Sequence, residues 1–356
     1  MITFAIVGSG WRSAFFLRIA EQLPKMFRVA GMVVRDEAKG QAFERRWGVS
    51  TYRSVQDLID HVDASFVVVS VPREVAPEIT VQLCEKGFPV LCETPPAKDL
   101  PELIAFNRLL QRDWKVQIAE QYIFQPSHAA RLSLVKSGRM GAVQQAQVSV
   151  AHDYHGVSLL RNFLGIGYED ATIHAFAHHA PIVQSPDRDG PPKDLRLQDS
   201  KQVVATLRFG DKLAVYDFTD QQYFSWIRSP RMLIRGDRGE INNFEVKYLT
   251  DTGSPVATRL HRQDAGHDGN LEGFYLKGIS LGAESLYENE FIPGRLSDDE
   301  IAVATCLKKM DAYVKGGPAF YSVAEASQDH YLSLLIHQAV DRGESVVSSR
   351  QPWASS

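Results

Sequence analysis

Residues 2–13, Ile-Thr-Phe-Ala-Ile-Val-Gly-Ser-Gly-Trp-Arg-Ser, constrain this chain most. An apolar run of one strand's length ends abruptly in Gly8-Ser9-Gly10 and passes into a helical pattern. Gly8 permits a tight turn, Gly10 lets the backbone approach a pyrophosphate, and the free N–H groups of a helix start favour negative charge. Ser9, Trp11 and Arg12 complete this candidate dinucleotide turn, and Ser13 stands where a third glycine is usual. Alone, Gly-x-Gly-x-x-small is as compatible with a purely structural strand–helix turn. Its place at the head of a strand–helix alternation favours the dinucleotide reading.

That alternation runs to about residue 121. Runs 2–7, 27–34, 65–71, 90–93 and 116–119 read as buried parallel strands. Between them, helices are expected over 11–23 before Pro24, 38–47 before Gly48, 77–86 before Gly87, and from Pro101 to Arg112. Right-handed crossovers then build a doubly wound parallel sheet with its ligand crevice at the carboxyl ends of the strands, where Gly8, Val34, Ser70 and Glu93 lie. After Pro126 the rhythm changes. A helix at 127–137 leads into alternating runs at 143–151, 202–209, 212–219, 231–235 and 240–248, which read as antiparallel strands. Phe209-Gly210-Asp211-Lys212 reads as a hairpin turn and 184–193 as a loop. Helices at 298–315 and 324–342 follow, the first opened by the capping sequence Ser297-Asp298-Asp299-Glu300. The expected organisation is an α/β chain of two domains: 1–121 is a dinucleotide-binding Rossmann domain. Residues 122–356 form a substrate and oligomerisation domain with an open, mostly antiparallel sheet.

Composition narrows the partners. With 44% hydrophobic and 23% charged residues and a formal net charge of -4, the chain shows no basic footprint for nucleic acid or an anionic membrane. No apolar run is long enough to span a bilayer and no leader pattern precedes the glycine turn. Cys84, Cys92 and Cys306 lack Cys-x-x-Cys spacing, which points to a reducing compartment, the cytoplasm.

Several ordered motifs together resemble one family. Gly8-Ser9-Gly10, Val71-Pro72, Cys92-Glu93-Thr94-Pro95, Ser137-Gly138-x-x-Gly141-x-Val143, Arg235-Gly236-Asp237-Arg238-Gly239-Glu240-Ile241 and the ending Tyr321-Ser322-Val323 to Gly343-Glu344-Ser345-Val346 are similar to the glucose-fructose oxidoreductase, inositol dehydrogenase and rhizopine-catabolism family of NAD(P)-dependent sugar oxidoreductases. The resemblance implies a Rossmann domain, an open sheet used for association into dimers or tetramers, and a sugar-like substrate. It also implies dinucleotide contacts from Gly8, Ser9, Gly10, Trp11, Arg12, Arg35, Ser70, Val71, Pro72 and Glu93. In the family a lysine after the glutamate, an aspartate and a histidine manage the hydroxyl proton. Here Thr94 takes the lysine position, and the spacing to Gly165 places Ala151 on the aspartate and His155 on the histidine.

His155 is then the first candidate for proton handling, since imidazole titrates near pH ~6.5. His152 is a candidate for polarising an oxygen, Asp153 for orienting an imidazole, Thr94 for a substrate hydrogen bond and Tyr122 for a hydroxyl relay. His152 and Asp153 are equally compatible with capping the helix that continues through 159–163. Lys98 reads as a solvated charge. His174, His178 and His179, on the run 171–180 that reads as a further strand, lack a supporting ligand set, so no metal site is expected. Val34-Arg35 offers a guanidinium suited to a 2'-phosphate, favouring NADP, with Asp36 keeping NAD open. Three functions remain: a sugar, sugar-acid or polyol oxidoreductase, a non-catalytic dinucleotide-binding sensor, and an NAD-dependent glycoside-cleaving relative.

Overall fold

The structure, a computed structural model, describes residues 1–110, 113–268 and 271–355. Its first sheet is parallel and six-stranded, ordered β3-β2-β1-β4-β5-β6. The strands are β1 (Ile2–Val7), β2 (Phe27–Val33), β3 (Thr51–Tyr52), β4 (Phe66–Val69), β5 (Val90–Cys92) and β6 (Val116–Ile118). The crossovers carry α1 (Ser13–Gln22), α2 (Glu37–Trp47), α3 (Val55–His61), α4 (Ala76–Glu85) and α5 (Leu100–Leu109). β3 and α3 were not anticipated from the sequence. β3 is two residues long, too short for a periodic signal, and α3 depends on Ser54, whose side chain accepts the Asp57 N–H. α1 begins at Ser13 rather than residue 11. Arg112, the expected end of α5, lies outside the described residues.

Phe4 and Phe66 face each other across β1 and β4, their rings stacked 5.7 Å apart, with Phe16 of α1 edge-on at 6.3 Å. All three are fully buried, and each contributes about 1.5–3 kcal/mol by leaving water. This core sets the sheet plane, and with it the row of strand ends.

The second sheet has eleven strands ordered β16-β15-β14-β13-β12-β11-β7-β10-β9-β8-β17. They are β7 (Val143–Ser149), β8 (Thr172–Val183), β9 (Leu197–Phe209), β10 (Lys212–Phe218), β11 (Arg231–Gly236), β12 (Gly239–Asn242), β13 (Glu245–Leu249), β14 (Pro255–Asp264), β15 (Leu276–Leu281), β16 (Glu284–Glu288) and β17 (Val346–Val347). The β7/β10 pair is parallel, and its other ladders described are antiparallel. The remaining helices are α6 (Pro126–Lys136), α7 (Asp153–Leu164), α8 (Asp298–Val314) and α9 (Val323–Arg342).

The expected single strand at 240–248 is instead two, β12 and β13. Asn243 adopts φ 54, and its side chain and backbone both bond Met232, which turns the chain between them. Gly210, at φ 60, does close the β9–β10 hairpin, where Phe209 pairs with Lys212. Four strands, β14 to β17, escaped the sequence reading because their pairing partners rather than their own alternation define them.

The chain folds into two compact units: Met1–His128 with Arg262–Gly278 and Glu288–Ser327, and Ala129–His261 with Ile279–Tyr287 and Gln328–Ser356. Helix α8 packs on α1, β1 and β4, and its capping box at Ser297 and Glu300 is formed as the sequence suggests. Glu300 also pairs with Arg18 of α1 at 2.5 Å.

Candidate functional site

In the first unit, one hydrogen bond per strand sets each residue that leaves the sheet. Gly8 N–H donates to Val33 O (3.2 Å), Ser70 N–H to Val7 O (2.8 Å), Glu93 N–H to Val69 O (2.9 Å) and Ala119 N–H to Cys92 O (2.8 Å). The candidate contact residues therefore stand in a row at the carboxyl edge. Gly8 has φ 124, and a Cβ there would lie 2.0 Å from Ser70 O. No larger side chain fits this crossing without displacing backbone. Beside Gly10 nothing lies within 4 Å of a would-be Cβ, so the turn keeps open space at its outer edge.

Helix α1 has no side-chain cap and no acid in its first turn. The Ser13, Ala14 and Phe15 amides bond back to Gly10, Trp11 and Arg12 O at 3.0–3.2 Å, and the positive end of the helix dipole faces the turn. The open edge of this turn and the helix start beside it fit the pyrophosphate of a dinucleotide. The strand-end row also contains Gln121 Oε1, a buried acceptor without a hydrogen-bond partner among the described residues. Trp11 is half exposed, and the Arg12 guanidinium lies 4.7 Å from its ring centre.

Arg12 does not point to solvent. It pairs with Asp299 at 2.8 Å and lies 3.7 Å from Glu93, with only 15% of its side chain exposed. Burial alone would lower its pKa, but Glu93 and Asp299 outweigh this and raise it. Glu93 is pushed up to about 7, chiefly by burial and against the pull of Arg12. Burial likewise pushes Glu120 up to about 8, although it accepts the Tyr122 N–H at 3.1 Å. Asp299 also accepts from Gln121 and Gln125. Near neutral pH this cluster holds exchangeable protons on Glu93 and Glu120 around one fixed guanidinium. The sequence placed Asp299 only on the α8 dipole; its partner Arg12 is 287 residues away.

Other candidates of this unit sit nearby in sequence but do different things. Thr94 is half-buried after β5, and Tyr122 opens a 3₁₀ turn with its ring stacked on His128. Lys98 is paired with Glu102 at 2.6 Å on an exposed face. Arg35 is exposed just beyond β2. Asp36 accepts the Lys39 N–H at 2.7 Å as N-cap of α2, and Arg53 donates to Val34 O at 3.1 Å. Cys84, Cys92 and Cys306 are buried free thiols. Burial pushes Cys84 and Cys92 up to about 12, so they are poor nucleophiles.

In the second unit, β7 ends at Ser149 and α7 begins at Asp153, itself in the left-handed region at φ 42. His152 is the N-cap residue but makes no side-chain cap. Two phenols serve the helix start instead: Tyr223 OH accepts the His152 N–H and Tyr216 OH the Asp153 N–H, both at 2.9 Å. The capping reading of these side chains is thus corrected, because both are drawn to longer-range partners. His152 Nδ1 bonds the Tyr223 hydroxyl at 2.5 Å, and Asp153 binds His337 Nε2 of α9 at 2.7 Å. Burial works to raise Asp153, but the His337 bond prevails and holds it below the ordinary range; Asp153 in turn raises His337. Asp153 does orient an imidazole, that of His337.

His155 is buried, its ring 5.0 Å from His152 and 4.4 Å from Tyr154. Gly156 admits Tyr216, because a Cβ there would come within 2.7 Å of the phenol ring. Behind the turn, Arg161 and Asp329 form a buried pair at 2.5 Å. A cavity of about 710 Å³ opens beside the turn, lined by His152, Asp153, Tyr216, Tyr223 and His337 among others, but not by His155. His337 was missed from sequence, because it lies in a long helix and has no local signal. Among the described residues, no three His, Cys, Asp or Glu side chains converge as a metal-binding group, and no helix is long and apolar enough to cross a membrane.

Comparison with known proteins agrees with this geometry. Residues 2–119 match an oxidoreductase family with an NAD-binding Rossmann fold. A myo-inositol dehydrogenase, Hyg17 of Streptomyces leeuwenhoekii, is 29% identical over 180 residues, 49% of this chain and 54% of that protein. The match thus spans about half the length of the curated relative. An Agrobacterium radiobacter oxidoreductase solved with NAD+, L-tartaric acid and magnesium superposes with TM-score 0.68 at 15% identity, covering 97% of this chain and 98% of the other. Scyllo-inositol dehydrogenase of Lactobacillus casei gives 0.66 at 14% identity, covering 100% and 99%. At such identity these two structures establish the fold.

Proposed function

We propose that this chain, whose residues 2–119 match an NAD-binding oxidoreductase family, interconverts a hydroxyl and a carbonyl of a sugar, sugar-acid or polyol-like substrate by hydride transfer. The observation that carries the reading is the strand-end row, with the open Gly10 turn and uncapped α1 at one end and the Arg12–Glu93–Asp299 cluster farther along. The nicotinamide supplies the hydride chemistry when bound. Ser9, Gly10 and Trp11 hold the pyrophosphate, Ser70, Val71 and Pro72 border the dinucleotide, and Glu93 meets it at the end of β5. Asp36 is engaged as a helix cap while Arg35 is exposed, which favours a 2'-phosphate and hence NADP over NAD.

Thr94 cannot carry a proton charge near neutral pH. Proton handling therefore falls to the His152–His155 pair, of which His152 is hydrogen-bonded to Tyr223 and lines the cavity. The name of the inositol dehydrogenase relative supports a polyol-type substrate. We place the protein in the cytoplasm and read the open face of the second sheet, where Phe176 is 61% exposed, as the surface of a homodimer or homotetramer.

Titration with NADPH and NADH, followed by a panel of sugars and polyols monitored through the reduced nicotinamide's absorbance, tests the function. Tight dinucleotide binding with turnover of at least one substrate is expected. Tight binding with no turnover across a broad panel reassigns the chain to a sensor. Light scattering on the purified protein tests the oligomer.

A further inference from the structure

We propose that Tyr223 is a catalytic residue: its hydroxyl meets the reacting hydroxyl of the substrate and passes the proton on to Nδ1 of His152, which holds it. The inference rests on the hydride-transfer reading and names the atoms that move the proton.

Three attachments fix Tyr223. It ends the 3₁₀ turn Asp220–Tyr223 that follows β10, a turn closed by a capping box between Thr219 and Gln222. Gln222 Nε2 also donates to Ser149 O at 3.1 Å and to Ser229 O at 3.2 Å, which ties the turn to the end of β7. The Tyr223 ring then packs edge-on against the buried Phe218, with 5.0 Å between ring centres. Together these hold the phenol over the start of α7. There its oxygen accepts the His152 N–H at 2.9 Å and lies 2.5 Å from His152 Nδ1. Both side chains line the cavity of about 710 Å³, and Tyr223 is 37% exposed.

The chemistry of the two groups decides which of them gives the proton. A phenol's lone pairs are partly drawn into its ring, so it donates more strongly than it accepts, and the His152 N–H already engages the oxygen as acceptor. An unprotonated imidazole nitrogen is a strong acceptor. The Tyr223 O–H therefore points at Nδ1, and the neutral ring carries its own proton on Nε2, 3.4 Å from the Tyr154 hydroxyl. Nδ1 is the basic atom of this tautomer, and the phenol covers it. A substrate proton consequently arrives in two linked transfers, from the substrate hydroxyl to the phenol oxygen and from the phenol to Nδ1. During oxidation the C–H electron pair leaves as hydride to the oxidised dinucleotide, the C=O bond forms, and the imidazolium keeps the one proton released. The phenol ends neutral as it began, and reduction runs the same path backwards. Around this couple, the His152 ring stands edge-on to Tyr154 at 5.2 Å and to His155 at 5.0 Å, and His330 is edge-on to Tyr154 at 5.6 Å. Asp153 is paired with His337 at 2.7 Å, so the imidazole that answers to the phenol is His152.

Two measurements on the full chain test this. Without dinucleotide, nitrogen NMR of isotope-labelled histidine reads the tautomer of His152, whose resonances are those lost in His152→Ala. At about pH 8.5, above the imidazole range, the parent should show the Nε2–H form and Tyr223→Phe a mixture of both tautomers. In turnover, Tyr223→Phe should lower kcat by about 10²-fold with KM little changed. The double variant with His152→Ala should be no slower than His152→Ala alone, because residues that act as a unit do not add. 3-Fluorotyrosine at position 223 keeps the ring and its hydrogen bonds but makes the phenol more acidic, so the pH–rate profile should move to lower pH. A tyrosine that only braces the turn leaves that profile in place. Thermal melting is the folding control, and the fluorinated protein carries the test if Tyr223→Phe does not fold. The proposal is overturned by the Nδ1–H form in the parent, by Tyr223→Phe turning over like the parent, by losses that multiply in the double variant, or by an unmoved profile with fluorotyrosine. A tautomer set by Tyr223, with no hydride transfer from any sugar or polyol to either dinucleotide, defeats the oxidoreductase reading and leaves the Tyr223–His152 proton contact standing. Turnover that is indifferent to Tyr223→Phe does the reverse.

Discussion

Two strands of this chain, β1 and β7, each run out through a short turn into a helix whose N-cap residue offers no side-chain cap, yet the two helix starts are used in opposite ways. After β1, the turn is tight at Gly8 and open beside Gly10, and no side chain caps α1. After β7, Tyr216 and Tyr223 take the first amides, and His152 and Asp153 are each locked onto a distant side chain. The first turn presents backbone, a fixed polarity suited to any phosphate. The second presents imidazoles and phenols, already engaged with one another. On the function proposed above, the first turn would bind the dinucleotide and the second would handle the proton.

The largest expected effect lies at Gly8. Gly8→Ala forces a Cβ onto Ser70 O at a φ of 124 and should cost about 3 kcal/mol or more in urea unfolding. Gly10→Ala meets nothing in the protein, so it should fold normally but bind dinucleotide at least about tenfold more weakly. Equal stability of Gly8→Ala and the parent would remove the idea that backbone crowding defines the first turn.

Next comes His152→Ala, expected to lower kcat by about 10²-fold or more with dinucleotide Kd unchanged. If His155→Ala is the damaging change and His152→Ala is silent, proton handling belongs to the buried ring instead.

A smaller effect, about 1–3 kcal/mol, concerns Glu120. Its carboxyl and that of Glu93 titrate near 8 and 7 in the fold, raised by burial, but close to ~4.3 in the unfolded chain. Stability from these groups is complete below the unfolded value and is lost as pH rises through about 7 and 8. Glu120→Gln should flatten that loss, making the variant more stable than the parent at about pH 9 and similar at about pH 4, as read from thermal melts. Tyr216→Phe, which strips the Asp153 N–H of its acceptor, should cost about 1–2 kcal/mol. The smallest change is expected of Arg35→Ala: a loss of NADP affinity of about tenfold with NAD affinity held, measured by fluorescence titration.

Much of the first turn was legible in sequence because its chemistry is local. Gly8 and Gly10 act through conformational freedom and the absence of a Cβ, properties written into the residues themselves. The Val-rich strands around them also show their burial as continuous apolar runs. The second turn was legible only as a cluster, Ala151-His152-Asp153-Tyr154-His155. Which imidazole Asp153 would hold depended on His337, 184 residues later, and the unexpected break at Asn243 depended on Met232 of a neighbouring strand.

By itself, then, the amino-acid sequence determined the strand–helix rhythm, the glycine turn after β1 and a non-ionisable side chain at Thr94, since periodicity, glycine and side-chain chemistry act over a few residues. The tertiary structure alone decided that Arg12 turns inward to Asp299 and Glu93, that Glu93 and Glu120 keep protons near neutral pH, and that Asp153 is held by His337. Charge pairing and desolvation act through space, and the partners they join lie up to 287 positions apart along the chain.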